Sequence, residues 1–358
     1  MPTVTGRRHF FRLPIEPRRR FIAGNAHVNT LQVLPMAFPP KEKLNVLFAH
    51  VAYQFAEPFA ARKSGIACEI ATSAAELEAK IGSADVLSIS GLWRNELIAL
   101  APRLKLIQSI SAGTDQYGKE QLKAAGIRLA SAHGVNANAV AEHAISLVLS
   151  LSRQLHLLRD KQAKREWRPM QGNRSIREDE VQGKTVLIVG MGRIGARLAE
   201  LCKAFGMTVL ATKRNPATGK GAADELHANS SLHTLLPRAD YVVLTCPLTP
   251  ETEKLIGARE LAAMKPSASL VNVARGKVCD EPALIAALEK KQIAGAGIDV
   301  TVEEPLPAAS PLWAMPHVIV TPHTGGETRR YEDRVIDLLL ENVARLGRGD
   351  AALVNQIV

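Results

Sequence analysis

Residues 185–195 read TVLIVGMGRIG and set the fold class of this chain. The run Thr185–Val189 is apolar or β-branched and predicts a buried strand, and Arg193–Phe205 has the apolar spacing of a helix. The glycines between them form a G-x-G-x-x-G turn, in which exposed backbone and a helix N-terminus suit a pyrophosphate. The stretch therefore predicts a dinucleotide site, to which we assign Gly190, Met191, Gly192, Arg193, Ile194 and Gly195.

Short apolar runs alternate with helical segments on both sides of this stretch. They predict strands at Leu44–Ala49, Asp85–Ser90, Leu104–Ser109, Thr208–Thr212, Tyr241–Thr245, Ser269–Val273, Gly297–Val300 and Val318–Thr321. Such alternation is typical of parallel sheets covered by helices on both faces. Between the two series, Asn138–Leu158 predicts one helix of about five turns that bridges two domains. We therefore expect an α/β protein with two Rossmann-like, doubly wound domains.

Length and composition are those of an ordinary globular protein. The 358 residues correspond to about two domains, and no apolar run is long enough to span a membrane. The four cysteines have neither metal-binding nor disulfide spacing, which favours a reduced, cytoplasmic protein without a metal.

Positive charge is concentrated at the start of the chain. Residues 1–35 contain six arginines, a single acid and several prolines. The remainder is only mildly basic, so the net charge of +10 is weak evidence for a nucleic-acid partner, and we expect none. We interpret residues 1–40 as a basic, proline-rich extension that catalysis does not need. A polyanion-binding arm, with interleaved Phe10, Phe11 and Phe21, is the alternative.

The strand after the glycine turn indicates which dinucleotide is bound. An NAD site usually has an acid at the end of this strand, where it binds the ribose 2′-hydroxyl. Here the strand runs into Thr212-Lys213-Arg214, which contains no acid. Two cations suit the 2′-phosphate of NADP, so we expect NADP to be preferred over NAD and assign these three residues to the cofactor site.

Seven motifs follow one another in the order that one family shows. They are Ser111-Ala112-Gly113-Thr114-Asp115, Val140-Ala141-Glu142-His143, the Gly190–Gly195 turn, Pro247-Leu248-Thr249-Pro250-Glu251-Thr252, Asn272-Val273-Ala274-Arg275-Gly276, Gly297-Ile298-Asp299-Val300 continuing to Glu304-Pro305-Leu306-Pro307, and Thr321-Pro322-His323. Over residues 44–358 the chain therefore resembles the D-isomer-specific 2-hydroxyacid dehydrogenases, which include glyoxylate and hydroxypyruvate reductases.

The resemblance implies a division of chemical roles. Arg275 would hold the substrate carboxylate with its planar fork, and His323 would protonate the carbonyl oxygen while Glu304 orients the imidazole. Asp299 would bind the nicotinamide carboxamide. Further contacts with substrate would come from Trp93, Ala112 and Gly113, and further contacts with cofactor from Cys246 and Val273.

The resemblance also implies an architecture and an activity. Residues 41–137 would form the substrate domain and 138–324 the cofactor domain, with a cleft between them, and 325–358 would return to the substrate domain. The chain would reduce a small 2-oxo acid to the D-2-hydroxy acid as a homodimer, with contacts near Trp167. The alternatives are a phosphoglycerate or phosphite dehydrogenase, or a non-enzymatic NAD(P)-sensing protein similar to the corepressors of this fold.

Overall fold

The computed structural model describes residues 38–358, which carry two parallel β-sheets. The first sheet has the order β2-β1-β3-β4-β5 and consists of β1 (Asn45–Ala49), β2 (Ala67–Ala71), β3 (Val86–Ile89), β4 (Leu106–Ser109) and β5 (Arg128–Ala130). Its central strands are fully buried, because helices cover both faces. The helices that accompany these strands are α1 (Ala56–Ala61), α2 (Ala74–Lys80) and α3 (Lys119–Ala124).

The second sheet has the order β12-β11-β10-β9-β6-β7-β8. Its strands are β6 (Thr185–Val189), β7 (Thr208–Lys213), β8 (Glu225–Ala228), β9 (Tyr241–Leu244), β10 (Ser269–Asn272), β11 (Gly295–Ile298) and β12 (Val318–Val320). The helices of this part are α4 (Ala137–Ser152), α5 (Leu155–Ala163), α6 (Arg193–Ala204), α7 (Leu232–Leu235), α8 (Ala258–Ala263) and α9 (Glu281–Glu289). The strand order reverses between β6 and β9, which is where ligands bind in sheets of this kind. Two parallel-sheet α/β domains are thus present, and the predicted fold class is confirmed.

The chain ends against the first sheet. Helix α10 (Tyr331–Arg348) buries apolar residues in the core that β1 and β4 form. Beyond it, the N–H of Ile357 donates to the carbonyl of Leu129 at 2.7 Å, which attaches the last residues to β5. The C-terminal segment therefore belongs to the same packed body as the first sheet.

The single long helix expected over Asn138–Leu158 is wrong, because the structure has two helices there. Gln154 separates α4 from α5 with a left-handed φ of 51°. Next to it, the Ser152 hydroxyl donates to the carbonyl of Asp179 at 2.7 Å, and the Gln154 amide donates to that of Ile176 at 3.4 Å. These contacts with the following connection interrupt the helix, and neither glycine nor proline marks the position.

Strands β2, β5 and β8 were not predicted, since each is short or lies at a sheet edge with polar residues in it. Residues 1–37 lie outside the described residues, and with them most of the predicted extension. Within residues 38–358, no helix combines the length and apolar character that crossing a membrane requires.

Candidate active site

The glycine turn connects β6 to α6 at the point where the strand order reverses. Gly190 has a φ of 111°, and a Cβ there would lie 2.6 Å from the backbone nitrogen of Cys246. The N–H groups of Gly190 and of the next residue donate to the carbonyl of Thr212, at 3.1 and 2.8 Å, which fixes the turn. A Cβ on Gly195 would lie 2.3 Å from the Gly190 oxygen, which is a clash. Only a glycine at this position therefore lets the helix pack closely against the turn. Gly192, at the helix start, faces open space, and the turn therefore fits a pyrophosphate.

Two cations stand where β7 ends. Lys213, which is half-buried, is the last residue of the strand, and Arg214, which is exposed, follows it. The nearest acids in sequence after them, Asp224 and Glu225, form ion pairs with other cations. Within the described part of the chain, neither Lys213 nor Arg214 forms an ion pair, although Arg214 is near enough to Glu251 to contribute to the lowered pKa of that carboxyl group.

The Arg193 side chain extends from the glycine turn to the first sheet. Its guanidinium donates to the carbonyl of His133 at 2.7 Å and to Oδ1 of Asn355 at 3.2 Å. Met191 is buried and Ile194 partly buried in the core beneath the turn. Because the side chain is engaged in this way, the predicted contact of Arg193 with the cofactor would be made by its backbone, at the helix N-terminus. Sequence reasoning missed these side-chain contacts because the partners are distant in the chain.

His323 and Glu304 form the hydrogen bond that the sequence predicted. The distance from His323 Nδ1 to Glu304 Oε2 is 2.7 Å, and the other carboxylate oxygen accepts the N–H of Thr301 at 3.1 Å. Because the carboxylate accepts from Nδ1–H, Nε2 of His323 is the ring nitrogen available to a substrate. This arrangement suits a general acid whose orientation is fixed by Glu304.

Asp299 holds the loop that carries His323. It accepts three successive N–H groups: that of His323 on its backbone oxygen at 2.8 Å, and those of Thr324 and Gly325 on its two carboxylate oxygens at 3.0 Å each. His323 has a left-handed φ of 54° in this loop. The Asp299 side chain is only 3% exposed, although its Oδ2 has acceptor capacity beyond the single bond to Gly325.

Arg275 projects from the end of β10 towards a loop of the first sheet. Its Nη1 donates to the carbonyl of Ala274 at 2.7 Å, and its Nη2 lies 3.6 Å from where a Cβ on Gly113 would be. Ala112 and Gly113 follow β4 and belong to the motif predicted to bind a carboxylate through backbone N–H groups. An exposed guanidinium and this loop are thus brought together from the two sheets.

Trp93 is mostly buried. Its ring is 6% exposed in the core of the first sheet, with its centroid 5.6 Å from that of Tyr117, and its Nε1–H donates to Asn95. Packing in this core accounts for the tryptophan without a substrate, and contact of Trp93 with the substrate stays a prediction. The neighbouring Arg94 forms an ion pair with Glu78.

Cys246 and Val273 lie at the ends of β9 and β10 and are both buried. Burial raises the pKa of the Cys246 thiol to about 11, which agrees with the expected backbone contact rather than thiol chemistry. Across residues 38–358, no group of three or more His, Cys, Asp or Glu side chains has the arrangement of a metal site.

Comparison with known proteins identifies the family. The model of the D-isomer specific 2-hydroxyacid dehydrogenase NAD-binding domain matches residues 145–325. Glyoxylate reductase of Thermococcus gammatolerans is 38% identical over 273 residues, which cover 74% of this chain and 80% of the relative.

Solved structures give the same result. The NADPH-dependent glyoxylate/hydroxypyruvate reductase of Sinorhizobium meliloti, in complex with NADP and malonate, has a TM-score of 0.70 and 25% identity, covering 88% of this chain and 97% of its own. D-lactate dehydrogenase of Lactobacillus jensenii with NAD+ has a TM-score of 0.73 and 27% identity, covering 86% and 99%.

A dinucleotide turn and a His–Glu pair at the same edge of one parallel sheet define an NAD(P)-dependent oxidoreductase. The chain belongs to the D-isomer specific 2-hydroxyacid dehydrogenase family. The assignment made from its motifs, and the prediction of an enzyme, are confirmed.

Proposed function

We propose that this enzyme reduces glyoxylate, hydroxypyruvate or a similarly small 2-oxo acid to the 2-hydroxy acid, which has the D configuration where C2 is chiral, with NADPH preferred. The observation that carries the proposal is the His323–Glu304 hydrogen bond, at the edge of the sheet that also presents Arg275. The glyoxylate and hydroxypyruvate reductases among the relatives support this substrate class over phosphoglycerate, phosphite or a sensing role.

Each residue has a defined task in this reaction. Arg275 and the N–H groups of Ala112 and Gly113 bind the substrate carboxylate, which places the 2-oxo carbon in one orientation. When bound, the reduced nicotinamide supplies the hydride. His323 Nε2 gives its proton to the carbonyl oxygen, and Glu304 orients the imidazole for the transfer. In the oxidative direction His323 accepts the proton.

The cofactor preference rests on charge. Lys213 and Arg214 are unpaired within the described residues, so a dianionic 2′-phosphate would gain two charge-assisted contacts there. The NADP complex of the Sinorhizobium meliloti reductase supports this proposal, whereas the Lactobacillus jensenii enzyme was solved with NAD+. Asp299 would contact the carboxamide through the remaining acceptor capacity of Oδ2.

We include a homodimer and a cytoplasmic location in the proposal. Trp167 is 97% and Met170 99% exposed, and Leu155 and Ile176 in the same region are also exposed. Large apolar side chains gathered on one exposed segment are typical of a protein interface. The four cysteines are all unpaired, which favours a reducing compartment.

The test is to follow the oxidation of NADPH and of NADH with glyoxylate, hydroxypyruvate, pyruvate and phenylpyruvate offered separately. We expect faster NADPH oxidation with glyoxylate or hydroxypyruvate, and glycerate of D configuration as the product from hydroxypyruvate. Faster NADH oxidation would overturn the cofactor preference only. Measurable cofactor binding without oxidation by any of the four acids would overturn the proposed substrate class.

A further inference from the structure

His143 lies directly behind the loop of His323 and takes no part in the mechanism described above. It comes from α4, which packs against β10 and β11. Its Nε2 is 3.0 Å from Oγ1 of Thr321 and 3.3 Å from Oδ1 of Asp299, and its side chain is mostly buried. From the sequence we expected this histidine to be structural, as one of several without a metal or catalytic pattern.

The hydrogen-bond donors of this cluster can be assigned by counting protons. An ionised carboxylate only accepts hydrogen bonds, so the Thr321 hydroxyl donates to Asp299 Oδ1, at 2.7 Å. The Thr321 oxygen is then left as an acceptor, and His143 Nε2 must carry the hydrogen that it receives. His143 is therefore a fixed N–H donor at the buried side of Asp299.

This donor supports the charge of Asp299. Burial alone would favour the neutral acid, yet hydrogen bonds from His143, Thr321 and Gly325 hold the pKa of Asp299 below its ordinary value. The other acid near His143, Glu142 on the same helix, is exposed and accepts from Asn138 instead. Asp299 is thus the only carboxylate among the described residues that pairs with His143.

Asp299 in turn fixes the backbone of His323. Its backbone oxygen and both carboxylate oxygens receive the N–H groups of residues 323–325, and His323 has a left-handed backbone there. A carboxylate that lost its donor on the buried side would be less firmly fixed in one orientation, so the loop whose N–H groups it accepts would be less precisely placed. The imidazole of His323 would then be less well placed between Glu304 and the substrate, and small misplacements of reacting groups are costly.

We propose that His143 is a positioning residue for His323, acting through Thr321 and Asp299. The inference rests on the proposed role of His323 as the general acid. The inference predicts that kcat depends on whether the side chain at position 143 is long enough to donate to Thr321, although this side chain touches neither substrate nor cofactor.

The test compares His143→Gln with His143→Asn. The Gln amide nitrogen can occupy nearly the place of Nε2, whereas the Asn side chain is too short for its amide nitrogen to reach Thr321. We expect His143→Asn to lower kcat about 10- to 100-fold. We expect KM for the 2-oxo acid and the Tm to stay close to wild type. His143→Gln should keep most of the wild-type kcat, and the control Ser146→Ala, one turn along the exposed side of α4, should change nothing.

The outcomes separate this inference from the proposed function. Equal kcat in wild type, Gln and Asn variants would overturn the role of His143 and leave the reductase intact. An equal fall in kcat for both variants, with a lower Tm, would mean that His143 is merely structural, which also overturns the inference. A wild-type enzyme that reduces none of the 2-oxo acids would instead overturn the proposed function.

Discussion

His323 has a backbone conformation that residues with a side chain rarely adopt. Its φ of 54° is left-handed and costs roughly 1–2 kcal/mol compared with a right-handed conformation. The three hydrogen bonds that the N–H groups of residues 323–325 donate to Asp299 offset this cost and keep Nδ1 at 2.7 Å from Glu304. Strain held in this way is typical of functional residues, since it fixes a side chain in one orientation.

Replacing His323 by Ala tests the general acid. We expect kcat to fall by a factor of about 10² to 10⁴, because the proton must then come from water, while NADPH binding is unchanged. Steady-state kinetics and a cofactor titration measure the two quantities. His233→Ala is the matched control, because His233 also pairs with a glutamate, Glu260, on helices away from the site. Near-normal kcat would remove His323 from the mechanism.

The double variant Lys213→Asp with Arg214→Ala tests the cofactor preference. An acid at the end of β7 should repel the 2′-phosphate and accept a ribose hydroxyl, so kcat/KM should fall for NADPH and rise or stay level for NADH. The measurement compares the ratio of kcat/KM with NADPH to kcat/KM with NADH between the variant and the wild type. Lys290→Ala is the control, because Lys290 follows α9, which connects β10 to β11 and is distant in the sheet from β7. An unchanged ratio would place the specificity site elsewhere.

At the scale of elements, two buried amides attach α10 to the first sheet. The Asn342 amide nitrogen donates to Gln108 at 2.9 Å and to the carbonyl of Val354 at 3.2 Å, and its oxygen accepts the Val354 N–H at 2.8 Å. Both amide side chains are fully buried. Helix, strand and C-terminal tail therefore meet at one polar contact, which specifies how α10 lies on the sheet.

The variant Asn342→Leu should destabilise the protein by about 2–4 kcal/mol, because Gln108 and Val354 would keep buried polar groups without partners. Urea unfolding followed by circular dichroism gives the free energy. The neighbouring Glu341→Ala removes only exposed ion pairs with arginines of the same helix and should cost about 0.5 kcal/mol or less. Similar free energies of unfolding for the two variants would show that the amide cluster contributes little.

At the scale of the whole molecule, the two sheets are joined by single side chains as well as by α4. Arg193 connects the glycine turn to His133 and Asn355, and Arg275 lies against Gly113. The glycine turn and the end of β10 are thus each in contact with segments that pack with the first sheet. The most exposed apolar side chains lie apart from these contacts, on the segment that contains Trp167.

Trp167→Glu tests the proposed dimer. A buried interface tryptophan typically contributes 2 kcal/mol or more, so we expect the dimer Kd to rise about 30-fold or more. Sedimentation velocity over a range of concentrations measures it. Trp313→Glu is the matched control, as Trp313 is exposed on a different part of the chain. A monomeric wild type, or equal Kd values for both variants, would contradict the dimer.

Features whose cause is local in the chain could be predicted. The strand β6, the glycine turn and α6 were expected within a residue of where they lie, because strand pattern, turn and helix start are all encoded within about twenty residues. The alternation of short apolar runs with helical segments, which predicted two parallel sheets, is also a local feature of the chain. His323 and Glu304 were paired in advance through motifs whose order along the chain is characteristic of the family.

Features that depend on distant partners could not be predicted. The break at Gln154, the burial of Trp93, the attachment of Arg193 to Asn355 and the donor role of His143 all arise from contacts across many residues. Propensity and periodicity report only what a segment favours by itself, whereas such contacts exist only after the sheets have packed. Tertiary packing, which brings distant segments together, therefore determines the hydrogen-bond partners of Gln154, Arg193 and His143.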